Sequence, residues 1–262
     1  MASFKLGRVR PRARGPRLSL KNYLMAALPA APVSANYTLN GTPFLKDILG
    51  NDKLGDCTCA GIFHIIGAAL ANANQEVPFT TADTIGLYER ACGYNPSDPT
   101  TDGGGQEPDV LNYVQNNGLL PDGSHKIAGW LAVDGSSKEQ ISSAIYIFEN
   151  VYFGVELPDA WISETRGDGF VWGIQGDVNP QNGHCFVGLG YNEQGVIVDS
   201  WGLIGTITWE AIAKYATTPN SGELYTVLTK DALDKIKQKA PNGFDWTQLV
   251  ADFDSIGGNL MA

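Results

Sequence analysis

The sequence predicts an α+β fold: a helical first half, an antiparallel β second half, and a cleft where the two meet. Three observations carry that prediction. Apolar residues recur at helical spacing from Cys57 to Asn72, and two further helices read at 81–91 and 108–116. Beyond about residue 126 the apolar runs turn short or alternating and are bounded by turn residues, as in VYFGVEL, HCFVGLGY, GVIVDSW and ELYTVL. Neither an internal repeat nor a flexible linker separates the halves, and 262 residues at 43% hydrophobic content suffice for a sizeable core.

Taken in order, the first 22 residues hold Lys5, Arg8, Arg10, Arg12, Arg14, Arg17 and Lys21 and no acid, while the remainder sets 11 basic against 28 acidic residues. This is a basic arm on an acidic body. Its RVRPRARGPR core has prolines and a glycine but no apolar period, so it reads as extended. Arm and connector, with Pro29, Pro32 and Pro43, occupy 1–43.

The body, 44–230, opens with a helical lobe to about 125. Its first helix, Cys57–Asn72, starts directly after Gly55-Asp56, with Phe63, Ile66 and Leu70 on one stripe and small residues that permit close packing. A second covers Thr81–Ala91, and a glycine-rich loop, Asp102–Gly105, leads into a third, Pro108–Asn116. The β lobe, about 126–230, includes one more helix at Ser137–Glu149, and residues 231–262 form a helical extension.

No apolar run approaches the roughly 20 residues that span a bilayer, and no secretory signal is visible, so a cytoplasmic or virion-associated protein is expected. Four cysteines, Cys57, Cys59, Cys92 and Cys185, are too few and irregular for a disulfide framework, and only one close pair exists where zinc would need two. Free thiols and no metal or cofactor are expected.

The chemistry gathers around GHCFVGLGYNEQGVIVDSWG, residues 183–202. The turn Asn192–Gly195 makes its two runs a hairpin that brings Asp199 back near His184, where a carboxylate would orient the imidazole and leave its other nitrogen free for a proton. A thiol at a helix start, Cys57, feels the unpaired N–H groups and the dipole, which favour thiolate. Together they would form an ion pair at rest.

These residues resemble the papain-like cysteine peptidases. The likeness has three parts in order: Gly55-Asp56-Cys57 at a buried helix, Gly183-His184 opening a strand, and Asp199-Ser-Trp-Gly202 where that family carries Asn-Ser-Trp-Gly. It spans about residues 44–230. It implies a papain-like fold and a Cys57–His184–Asp199 triad. It also implies that Gly103, Gly104 and Gly105 pair with an extended substrate and that Trp201 shields the His184–Asp199 bond. The family's oxyanion amide, normally Gln, is Asn51 here, one methylene shorter, and Thr58 and Leu54 replace the usual Trp and half-cystine.

Each assignment has a plainer rival. Cys59 competes as nucleophile but has Lys53 six residues before it; His64, seven residues along the helix from Cys57, reads as a satisfied core or groove histidine; His125 reads as exposed. Trp201 is equally at home in a core, and the glycine loop as a connector.

The expected activity is hydrolysis of peptide or isopeptide bonds through a thioester. Two alternatives stand: a cell-wall amidase, and a structural or virion component that keeps the fold with little catalysis. The expected partners are a polypeptide substrate and a protein bound through the arm; neither membrane nor nucleic acid is expected, the latter being repelled by the acidic body.

Overall fold

The computed structural model describes residues 4–11, 18–24, 30–229 and 245–255. Arg12, Arg14 and Arg17 of the arm, and the extension except 245–255, lie outside the described residues. The strands are β1 (Ala35–Asn36), β2 (Ile127–Val133), β3 (Val151–Glu156), β4 (Val171–Trp172), β5 (Gly183–Tyr191), β6 (Gly195–Ser200), β7 (Leu203–Thr208) and β8 (Glu223–Thr229). The helices are α1 (Thr42–Leu45), α2 (Cys57–Asn72), α3 (Thr81–Cys92), α4 (Glu107–Asn117), α5 (Lys138–Phe148), α6 (Asp159–Glu164), α7 (Trp209–Tyr215) and α8 (Trp246–Ser255).

The strands form one sheet in the order β2-β8-β3-β5-β6-β7-β4, antiparallel except for β4 beside β7, with β1 added to the far end of β5. The four helices expected from the sequence are present within a residue or two of their expected ends. Their caps explain the stops. At α3, Thr80 and Asp83 form a reciprocal capping box and Gly93 ends the helix in the left-handed region, while Ser137 caps α5. Strands β2 and β7 escape the sequence reading, because IAGWLAV and LIGTIT keep half of their side chains only partly buried and break their apolar runs with glycine.

Period 2 sorts the core. Cys185, Val187 and Leu189 of β5 join Tyr152, Tyr225 and Val227 in the layer beneath α2, α3 and α4. Phe186 joins Phe153, Val155 and Val198 on the opposite face, beneath α5 and α7 with Trp161 and Trp172. The helical half therefore covers one face of the sheet, and helices within the β half cover the other. Helix α2 comes close enough to β3 and β5 that a Cβ at Gly61 would sit 2.6 Å from Tyr152 Cε2. This close seat carries the first residue of α2 to the beginning of β5.

Candidate active site

Cys57 and His184 meet there. Both are buried, and with Asn51, His64, Asp199 and Trp201 they line a cavity of about 10 Å³, close to the smallest that admits one water. His184 stacks on Trp201 with ring centres 4.1 Å apart, and its Nε2 shares a 2.9 Å hydrogen bond with Ser200 Oγ. Its Nδ1 has no hydrogen-bond partner among the described residues. One ring nitrogen is thus held and the other is free, in the cavity shared with the thiol.

The group holding the imidazole is not the expected one. Asp199 Oδ2 lies 2.8 Å from Nδ1 of His64, whose Nε2 is 2.9 Å from the Asp47 carbonyl oxygen. The register explains this: Asp199 pairs with Val187 across the hairpin, three residues from His184, so the two side chains leave opposite faces of the sheet. Ser200, one residue on, reaches His184 instead. His64 is satisfied, as expected of a core histidine, but by the carboxylate assigned to the triad. Burial pulls its imidazolium down, yet Asp199 more than reverses this and its pKa is raised. Trp201 stacks on a histidine bonded to Ser200 rather than to Asp199.

The expected ion pair is also absent from this state. Burial pushes the Cys57 thiol up to about 12 and pulls His184 down to about 3, so both are neutral at pH 7. Desolvation here outweighs the helix N-terminus. Burial also raises Asp56, which sits just before α2 without a side-chain capping bond, to about 8.

The arm lies across the site and helps to close it. Phe4 stacks on the other side of the Trp201 ring at 4.4 Å, and Trp201 Nε1 donates to the Lys5 carbonyl at 3.1 Å. Lys5 N donates to the Asn51 carbonyl (3.0 Å), Arg8 N to that of Gly183 (3.0 Å), and Val9 N to that of Gly105 (2.8 Å); Gly105 N donates back to Gly7 O (2.8 Å). Gly105 of the glycine loop thus pairs with the chain's own extended arm. Glycine is required where the backbones touch: a Cβ at Gly104 would sit 1.9 Å from Gly7 O, and one at Gly183 2.2 Å from Arg8 O. Gly103 bonds within its own loop.

Charge holds the arm as well. Lys5 lies 3.5 Å from Asp102, Arg10 pairs with Glu156, and Arg8 reaches Glu107 (3.2 Å) and Glu223 (2.7 Å). The described part of the arm thus folds back on the acidic body. Glu107, Glu223 and Ser200 were missed from the sequence; the only hint was the body's surplus of acid, which does not say which acids converge. Asn51 is buried beside Cys57, and its Nδ2 donates to the Leu54 carbonyl at 2.9 Å. Cys59, two residues along α2, is buried away from the cavity lining. His125 packs edge-on against Phe79.

No protein-family model matches the chain, and no curated protein matches its sequence. Solved structures do match its fold. Xylellain, a cysteine protease from Xylella fastidiosa, superposes with a TM-score of 0.61 at 14% identity, over 87% of this chain and 97% of that one. A digestive procathepsin L2 proteinase from Tenebrio molitor larval midgut gives 0.56 at 14% identity, over 86% and 78%. Bromelain from Ananas comosus, solved with the E64 inhibitor, gives 0.52 at 12%, over 76% and 100%. The order of helix, glycine loop and histidine strand, and the superposition on three cysteine proteases, establish that this chain has the papain-like fold.

Proposed function

We propose that this chain is a cysteine-type peptidase, hydrolysing peptide or isopeptide bonds, whose cleft its own arm occupies until the arm is displaced. One observation carries the reading. A thiol at a helix start and an imidazole with a free Nδ1 line one cavity, beside a glycine loop and a strand already hydrogen-bonded to an extended peptide.

Withdrawal of the arm readmits water, which relieves the desolvation of both groups, and the thiol proton passes to His184 Nδ1, leaving a thiolate that the helix N-terminus favours. Cys57 Sγ then bonds to the substrate carbonyl carbon. The oxyanion is met by the Cys57 N–H, which has no partner within its helix, and by the second Nδ2 proton of Asn51. His184 passes its proton to the leaving amine, and water cleaves the thioester with His184 as base. Ser200 and Trp201 hold the ring through both steps. The arm escapes cleavage because in its presence the pair is neutral and dry.

A second reading, a catalytically silent body, is favoured by the same burial and by the Asn51 amide already engaged at Leu54. A protein partner that captures the basic arm would open the cleft under the first reading and merely assemble under the second.

Iodoacetamide labelling separates them. At pH 7 the Arg8→Ala protein should label at Cys57 at least tenfold faster than wild type, should lose most of that rate with His184→Ala, and should hydrolyse a mixed peptide pool. Labelling at Cys59 or Cys92 with Cys57 untouched rejects the nucleophile; rapid Cys57 labelling without hydrolysis favours the silent body.

A further inference from the structure

The arm also shows which side chain the cleft takes. Arg8 is inserted into a closed pocket, its side chain 1% exposed, while the neighbouring Arg10 leaves more than half of its side chain in solvent. Glu107, the first residue of α4, is fully buried at one wall and accepts from Arg8 Nε at 3.2 Å. Glu223, the first residue of β8, accepts from Nη2 at 2.7 Å, and the Ser221 carbonyl accepts from the same nitrogen at 2.9 Å. The floor is Gly154 of β3, which pairs with both Cys185 and Glu223. A Cβ there would fall 1.8 Å from Glu107 Oε1 and 2.7 Å from Arg8 Nε, so the pocket exists only because that residue is glycine.

Two carboxylates in a dry pocket are a poor arrangement without a cation. Burial lowers the Arg8 guanidinium, but Glu107 and Glu223 raise it overall; burial itself raises Glu107. An apolar side chain would leave Glu107 desolvated and both acids without a cation, and a lysine would meet them as a point charge without the planar fork that reaches Glu107, Glu223 and a carbonyl at once. The pocket's position matters equally. Gly7, the neighbour of Arg8, is the arm residue that packs against Gly55, where a Cβ on Gly7 would meet the carbonyl at 1.9 Å, two residues before Cys57. The pocket therefore receives the side chain one residue away from the one lying by the thiol.

We propose that Glu107, Glu223 and Gly154 form the specificity pocket of this cleft, that it selects arginine at the residue adjacent to the scissile one, and that Arg8 is its resident occupant. The proposal rests on the peptidase reading for the word scissile, and the test keeps the two apart. In the full-length Arg8→Ala protein the pocket is vacated, and millimolar N-acetyl-arginine methylamide should raise the melting temperature by several degrees. The lysine and norleucine analogues should do so weakly or not at all, and Arg8→Ala with Glu223→Gln should lose the response. In parallel, a peptidyl epoxide carrying arginine next to its electrophilic residue should label Cys57 of Arg8→Ala at least tenfold faster than its leucine counterpart. Equal melting shifts for arginine and norleucine analogues, or equal labelling by the two epoxides, overturn the pocket's selectivity even if Cys57 reacts. An arginine-specific melting shift without any labelling of Cys57 upholds the guanidinium pocket and sinks the peptidase reading instead.

Discussion

His64 and His184 sit on opposite faces of one hairpin and should pull stability in opposite directions with pH. His64 has its folded pKa raised by Asp199, so the folded state holds the proton more tightly than the unfolded chain. Its contribution is full below the unfolded value of about 6.5 and is lost as pH rises through the raised one. His184 is held neutral by burial, with its pKa lowered to about 3, so its contribution is present above about 6.5 and fades as pH falls toward that value. Asp199→Asn should therefore destabilise by about 3 kcal/mol at pH 6, where it breaks a buried ion pair, and by clearly less at pH 9. Urea denaturation at the two pH values measures this; a gap that does not narrow would mean that His64 is not protonated in the folded protein. Asp199 thus acts on stability through His64, whereas Ser200→Ala should alter the pH profile of Cys57 labelling in the Arg8→Ala protein, because it frees the His184 ring.

At the scale of elements, the site depends on how closely α2 lies on the sheet. Gly61 faces Tyr152 and Cys185 with no room for a methyl group. Alanine is favoured over glycine in a helix by about 1 kcal/mol, yet here the added Cβ must displace an aromatic ring packed in the core. Gly61→Ala should thus lower stability by about 1 to 3 kcal/mol and slow Cys57 labelling in the Arg8→Ala protein, since the helix lifts away from β5. A thermal melt that rises on substitution would show that helix propensity outweighs packing at this seat.

For the whole molecule, the arm joins both halves of the chain: Lys5 and Arg8 reach the glycine loop and α4 on one side, and Arg8 and Arg10 reach β8 and β3 on the other. Its two arginines should behave differently. Arg8→Ala strands the fully buried Glu107 and the largely buried Glu223 and should cost about 3 kcal/mol, while Arg10→Ala removes a side chain that is half in solvent, opens the buried Glu156 to water, and should cost less, about 1 to 2 kcal/mol. Hydrogen exchange localises the difference: the Arg8, Val9 and Gly105 amides should lose protection in the first variant and keep it in the second. Protection retained in both would mean that the backbone ladder alone holds the arm. No helix among the described residues is long and apolar enough to cross a membrane.

What the sequence determined by itself were features written in local order. The period of Phe63, Ile66 and Leu70, the Gly-Asp before Cys57, and the turn at Asn192–Gly195 specify a helix start and a hairpin, and so bring a thiol and an imidazole to one place. Tertiary structure decided the partners. Whether Asp199 or Ser200 meets His184 depends on a register offset of one residue, which flips a strand side chain to the other face and leaves no trace in composition. The seat of the arm depends on acids at residues 107, 156 and 223, far apart in sequence, that converge only when α4, β3 and β8 pack together. Seven positive charges say that the arm seeks acid; only the folded cleft, with glycines where its backbone must pass, says which acid it finds.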